Sequence, residues 1–228
     1  WNDRSLSRRL QSSSGEDFTA NLLGVNALHQ GVEFDFTWKP SDKFNLTGMA
    51  SLGDWRWAND LIDVPVFDPQ QIQVGTADLL VKDLKIADAA QTTFAVGALY
   101  KFWKKSSFTL DYNYFGNLYA DFAFENFLNF DETGNSNTTP TRLEKTWEVP
   151  AYHTFDGSFR HGFDFGGFDT TLTLRVNNIL DTEYVSDAQD GTSQTASDAL
   201  VFFGAGRTFS LGAKIIFISN AFNAFHVM

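Results

Sequence analysis

The stretch Gly206-Arg207-Thr208-Phe209-Ser210-Leu211-Gly212-Ala213-Lys214-Ile215-Ile216-Phe217 decides how the rest of the sequence is read. Alternate residues Phe209, Leu211, Ala213, Ile215 and Phe217 are apolar. Those between them, Thr208, Ser210, Gly212 and Lys214, are small or polar, with Ile216 the one large apolar exception. A two-residue period belongs to an extended strand with one greasy and one wet face. One such strand fits soluble and membrane proteins alike, so its repetition and its connections carry the decision.

The pattern repeats upstream. Val32, Phe34, Phe36 and Trp38 alternate with Glu33, Asp35 and Thr37, and the return from Phe44 sets Leu46, Gly48, Ala50 and Leu52 against Asn45, Thr47, Met49 and Ser51. Near Gly53 the phase slips, as a bulge would cause, before Trp55 and Trp57. Further pairs run over Gln91–Phe102 with a return from Phe108 to Tyr114, and over Ala151–His161 with Phe168–Asn178. Seven strands are expected, plus a stub at residues 1–4, with Ser5–Asn26 read as a polar loop. The joins at 39–43, 103–106 and 162–167 are short. The joins 58–89, 116–149 and 179–202 are long and hold six, six and five acidic residues, 17 of the 28 in the chain.

Strict alternation of short and long joins gathers the short turns at one end of the sheet and the long loops at the other. Long structureless loops are uncommon in compact soluble domains, whereas a transmembrane barrel has short periplasmic turns and long extracellular loops. Aromatic residues form two bands: Trp38, Phe44, Phe102, Trp103 and Phe217 towards the short turns, and Trp55, Trp57, Tyr114 and Tyr119 towards the long loops. Such bands suit interfacial girdles. The expected fold class is all-β, an antiparallel up-and-down transmembrane β-barrel in the outer membrane, in contact with its lipid.

Composition narrows the functions. A net charge of −11 without a basic stripe disfavours nucleic acid. No cysteine is present, so thiolate metal sites and disulfides are excluded. Mean hydropathy near neutral, −0.21, suits alternating strands. His29, His153, His161 and His226 lack ligand-like spacing, no nucleophile–histidine pairing stands out, and Gly204-Ala205-Gly206 lacks the third glycine of a dinucleotide fingerprint. No cofactor, metal site or enzymatic activity is expected. Asp156 and Arg175 are expected nearly opposite one another on the wet face, with Arg160 near Thr171. They form either a lumen patch touching solute or a charge ladder stiffening the barrel. Trp57, Tyr119 and Tyr184, near the mouth, either stack on a ligand or pack the loops. The acidic loops either capture cations or are simply solvated.

Leu172-Thr173-Leu174-Arg175-Val176-Asn177-Asn178-Ile179-Leu180-Asp181-Thr182-Glu183-Tyr184, the closing Gly206–Phe217, and Val149-Pro150-Ala151-Tyr152 resemble TonB-dependent outer-membrane receptors, as do Ala89–Tyr100 and Asp111–Asp121. The resemblance covers most of residues 27–217. It implies a 22-stranded barrel with an N-terminal plug, importing a scarce nutrient of the siderophore, cofactor or oligosaccharide class with energy relayed by TonB. It also implies that Gly212, Ile215 and Phe217 form the signal by which the barrel-assembly machinery reads the last strand. Residues 1–217 would then be the last seven or eight strands, because strand number fixes barrel width. The plug and TonB contacts would lie upstream, and 218–228 would be an atypical tail. The alternative is a small complete outer-membrane barrel with a structural or adhesion role.

Overall fold

The computed structural model describes residues 4–11, 17–122 and 142–217. Its strands are β1 (Arg4–Gln11), β2 (Asp17–Val25), β3 (Ala27–Ser41), β4 (Phe44–Trp57) and β5 (Leu61–Phe67). There follow β6 (Gln73–Leu79), β7 (Thr92–Trp103), β8 (Ser106–Gly116), β9 (Leu118–Tyr119) and β10 (Glu148–Val149). The last are β11 (Tyr152–Phe165), β12 (Phe168–Asn177), β13 (Val185–Gln189), β14 (Leu200–Phe203) and β15 (Thr208–Phe217). The described residues contain no helix.

The seven amphipathic stretches form one antiparallel sheet in the order β15-β12-β11-β8-β7-β4-β3. Neighbours in this sheet follow one another along the chain, so the short turns share one end and the long segments the other. Each short turn needs two residues, Asp42-Lys43, Lys104-Lys105 and Gly166-Gly167, between the pairs Ser41↔Phe44, Trp103↔Ser106 and Phe165↔Phe168. Both glycines of the last turn have positive φ, 58° and 88°, the backbone that two-residue hairpins demand. The third turn is therefore tighter than the 162–167 read from sequence. Its strands continue past His161 because Phe163 and Phe165 keep the alternation.

Register carries the apolar face across the whole sheet. Trp38 faces Leu46, which faces Ala98, then Leu110, Gly157, Val176 and Phe209. A second row runs Tyr100, Phe108, Phe159, Leu174, Leu211. Large side chains on every strand of this face are exposed, Val32 by 70%, Phe34 by 63% and Leu211 by 75%, while Leu46, Ala98 and Val176 are half-buried. Soluble monomers rarely expose apolar patches beyond roughly 300–600 Å², and this face bears large apolar groups on every strand.

The buried cores lie elsewhere. Phe18, Leu22, Leu61, Val66 and Leu79, with Val81, Leu84, Phe122 and Leu143, make one cluster. Leu118, Ala120, Val149 and Ala188 make a second. Among the described residues no buried apolar core side chain comes from the seven-stranded sheet.

Four expectations are corrected. Ser5–Asn26 is not a loop: β1 and β2 pair as a hairpin, Ser7↔Asn21 to Gln11↔Asp17, because Phe18, Ala20 and Leu22 alternate and are buried. The segment 58–89 is not structureless, since β5 and β6 join that hairpin in a four-stranded sheet of order β1-β2-β5-β6. No slip occurs at Gly53: β3 and β4 stay in step from Gly31↔Gly53 to Ala27↔Trp57. What stops at Leu52 is pairing with β7. The register shift sits instead at Trp38/Ser41, where Pro40 has no N–H for the ladder. Trp55 and Trp57 accordingly keep the wet-face phase and are not on the apolar face with the girdle residues. Finally, Arg175 lies opposite Ser158, a two-residue offset that separates Asp156 from Arg175; Arg160, opposite Thr173, does share a groove with Thr171. The hairpin turn at Gly166-Gly167 sets that offset. Residues 1–3 of the expected stub, Ser12 to Gly15, and the tail 218–228 lie outside the described residues.

Candidate functional site

The wet face is built from the positions between the apolar ones. One row runs Thr37, Thr47, Gly97, Asp111, Asp156, so two carboxylates stand directly opposite one another on β8 and β11. A groove lined by Asp35, Thr37, Thr47, Asp111, Asn113 and Asp156 runs along this row. Asp156 is held by neutral donors: its Oδ1 accepts the backbone N–H of Asn178 at 2.8 Å, and its Oδ2 accepts Nδ2 of Asn113 at 3.3 Å. Arg160 and Arg175 occupy the same face on β11 and β12. The three residues read as a polar ladder thus share a face without forming an Asp156–Arg175 ion pair.

Asn178 explains much of the stretch that follows β12. With φ of 50°, it turns the chain back on itself. Its Nδ2 donates to the carbonyls of Thr182 (2.9 Å) and Ala205 (3.2 Å), and its Oδ1 accepts the N–H of Thr182. Asp181 Oδ1 accepts the N–H of Arg207 at 2.7 Å. The Asn-Ile-Leu-Asp-Thr run is therefore a clamp joining the ends of β11 and β12 to the start of β15.

Above the sheet, Trp57 and Tyr119 meet the same segment. Trp57 N–H donates to Leu84 O and its carbonyl accepts Asp83 N–H, both at 2.9 Å. Its ring stands edge-on to Phe122, 6.4 Å between centroids, against the first buried cluster. Lys85 Nζ lies 6.0 Å from the Tyr119 ring centroid, a cation–π distance, and donates to Asp54 Oδ1 at 2.6 Å. Asp54 also accepts from Gln30 Nε2 at 3.0 Å and pairs with Arg56. Burial, then the charges of Glu148 and Asp54, push the Tyr119 hydroxyl pKa up.

Tyr184 belongs to a different assembly. It stacks on Tyr152, which stacks on Phe115, with centroid spacings of 4.1 and 5.0 Å. Gly204 passes so close that a Cβ there would overlap the Tyr184 ring. The structure thus brings Trp57 and Tyr119 to one neighbourhood and seats Tyr184 in another.

No family model matches the sequence. No curated protein matches it either. Among solved structures, the chain is similar to the siderophore receptor PiuA from Acinetobacter baumannii, at 16% identity with a TM-score of 0.49. The match covers 91% of this chain and 23% of that one, so the chain spans about a quarter of that receptor's length.

Several organising residues gave no sequence signal. Gln91, 1% exposed, accepts Trp55 N–H with Oε1 at 3.0 Å and donates Nε2 to the carbonyls of Trp55 and Ile86. Arg142 holds Asp60 through two bonds of 3.1 and 2.6 Å. Asp190, 4% exposed, accepts Trp147 N–H at 2.8 Å. Each joins segments far apart in sequence, so no local pattern announces it. Gly212 and Ile215 lie opposite Thr173 and Thr170, and Phe217 holds the register position opposite Phe168. Among the described residues no group of three or more His, Cys, Asp or Glu is arranged to hold a metal ion.

Proposed function

We propose that this chain is the C-terminal part of a TonB-dependent outer-membrane receptor that binds and imports a scarce nutrient, acting as a transporter component and not as an enzyme. The observation that carries the reading is the apolar face: continuous in register over seven antiparallel strands and largely uncovered, while the buried apolar cores lie outside that sheet. Lipid is the solvent in which such a face is stable. A backbone in lipid must close its hydrogen bonds internally, which a closed barrel does. Among the described residues β3 and β15 each pair on one side only, so further strands are proposed to close the sheet. TonB dependence rests on the receptor-like sequence of 172–184 and 206–217.

In this reading the wet face lines the lumen, the short turns face the periplasm and the long segments form the outer mouth. Trp57, Tyr119 and Tyr184 are proposed to line that mouth, and Gly212, Ile215 and Phe217 to serve the assembly machinery. The nutrient belongs to the siderophore, cofactor or oligosaccharide class. The test uses the full-length protein in its native membrane. It should fractionate with the outer membrane, show heat-modifiable electrophoretic migration, and support growth on a limiting nutrient only when TonB is present. Growth that persists without TonB would remove the receptor reading and leave the small structural barrel. A soluble, heat-insensitive protein would remove both.

A further inference from the structure

The short-turn rim gathers positive charge that its surroundings neutralise only in part. A groove of about 270 Å³ opens there on the wet face, lined by Lys101, Lys104, Lys105 and Arg160, by Ser107 and Thr171, and by one carboxylate, Asp169. Lys105 is spoken for, with Nζ 3.0 Å from Asp164 and 3.3 Å from Asp169. Among the described residues no ion pair reaches Lys101, Lys104 or Arg160, and all three are exposed. Register adds a further cation: Lys214 on β15 sits opposite Thr171. In a chain of net charge −11, cations converging at one groove are out of keeping with the whole.

Ammonium and guanidinium groups beside hydroxyl donors make the donor set that phosphate oxygens accept. Beside the groove, Trp103 is 71% exposed and Phe102 stacks on Phe159 at the end of the apolar face, the level at which headgroups meet aromatic belts. We propose that Lys101, Lys104 and Arg160, with Ser107 and Thr171, form a phosphate-binding groove, filled either by an anionic lipid headgroup that reaches over the rim at the Lys104 turn or by free phosphate. The headgroup source rests on the membrane reading above; phosphate recognition itself does not.

The test uses full-length protein, wild type and the triple variant Lys101→Gln/Lys104→Gln/Arg160→Gln, with Lys82→Gln on the long-loop side as control. One arm titrates inorganic phosphate into protein in a zwitterionic detergent and follows phosphorus NMR line broadening. The other extracts protein from mixed phosphatidylglycerol–phosphatidylcholine vesicles and weighs the retained lipid by native mass spectrometry. Wild type and Lys82→Gln should bind alike, and the triple variant about tenfold more weakly, the loss of roughly one contact's energy. Loss in the vesicle arm assigns the headgroup, and loss in the phosphate arm alone assigns free phosphate. A triple variant that migrates as folded and binds as wild type does in both arms overturns the groove, while leaving the barrel reading untouched. Should the triple variant not fold, Lys104→Gln in the turn alone must weaken binding, and unchanged binding there overturns the proposal equally.

Discussion

Tyr184 lies flat on Tyr152, with ring centroids 4.1 Å apart and planes 18° from parallel, and the backbone of Gly204 passes close to the Tyr184 ring. The stack ties the segment after the Asn178 clamp to the start of β11. Gly204→Ala would drive a methyl into the Tyr184 ring, so the ring must shift from its place on Tyr152. Tyr184→Ala removes the stack directly, a loss of about 1 kcal/mol. Both variants should raise amide exchange over 184–189 to a similar extent, while Tyr184→Phe keeps protection. Wild-type protection in Gly204→Ala would show that the stack is not what orders this segment.

The two sheet faces should respond oppositely to charge. Phe34→Arg and Leu211→Arg place a guanidinium on the apolar face, at positions 63% and 75% exposed. In lipid each should cost about 2–4 kcal/mol near the midplane. Thr37→Arg on the wet face of β3 should stay within about 0.5 kcal/mol. The folded, heat-modifiable fraction in urea titrations reads the difference. On a water-exposed surface all three would be nearly neutral, so equal midpoints would rule out a lipid-facing sheet.

Gln91 is the polar pin between β4 and the segment that precedes β7. Gln91→Leu leaves the N–H of Trp55 and the carbonyl of Ile86 without their amide partner, while the Trp55 carbonyl keeps the Ile86 N–H. Unpaired buried groups make this substitution destabilising by about 3 kcal/mol, despite similar volume. Gln91→Glu retains the acceptor for Trp55 N–H and should lose less. A urea midpoint for Gln91→Leu equal to that of wild type would refute the pin.

Acid should act on the two loop-side carboxylates with opposite sign. The Arg142 guanidinium holds Asp60 below the usual carboxylate range. Its contribution is present above the unfolded value and is lost as pH falls through the depressed folded value. Burial first, and then Asp198, push Asp190 up, against the Trp147 N–H bond. The folded chain therefore keeps this proton longer than the unfolded chain, and stability falls as pH rises from the unfolded value through the raised one. Protection of the Lys82 amide, which donates to Asp60 Oδ1 at 2.8 Å, should fall with acid. Protection of the Trp147 amide should rise, and Asp190→Asn should flatten that rise. Parallel responses at the two amides would contradict the assignment.

Much of the architecture was legible because amphipathic strand pattern is local. Phe34, Phe94 and Leu211 mark one face from their own neighbours alone, and the two-residue turns follow each strand end. The site was far less legible. Trp57 and Tyr119 come together through residues 83–85, and Tyr184 finds Tyr152 across more than thirty residues. The strands β2 and β5 pair by only Thr19↔Phe67 and Ala20↔Val66, too brief a contact to leave a sequence mark. Their short alternations were hidden among polar residues, so both segments read as loops.

The sequence by itself determined which residues are strands of the large sheet, which face of each is apolar, and at which end the short turns and the acidic segments fall. These follow from the two-residue period and from turn chemistry, which act between near neighbours. Only the tertiary structure decided the register that puts Asp156 against Asp111 and the Asn178 backbone instead of Arg175. The same holds for the second sheet, which joins β1 and β2 to β5 and β6, and for the groove where Lys101 and Lys104 meet Arg160. These relations join residues distant along the chain, and pairing across the sheet, with turn geometry, fixes them.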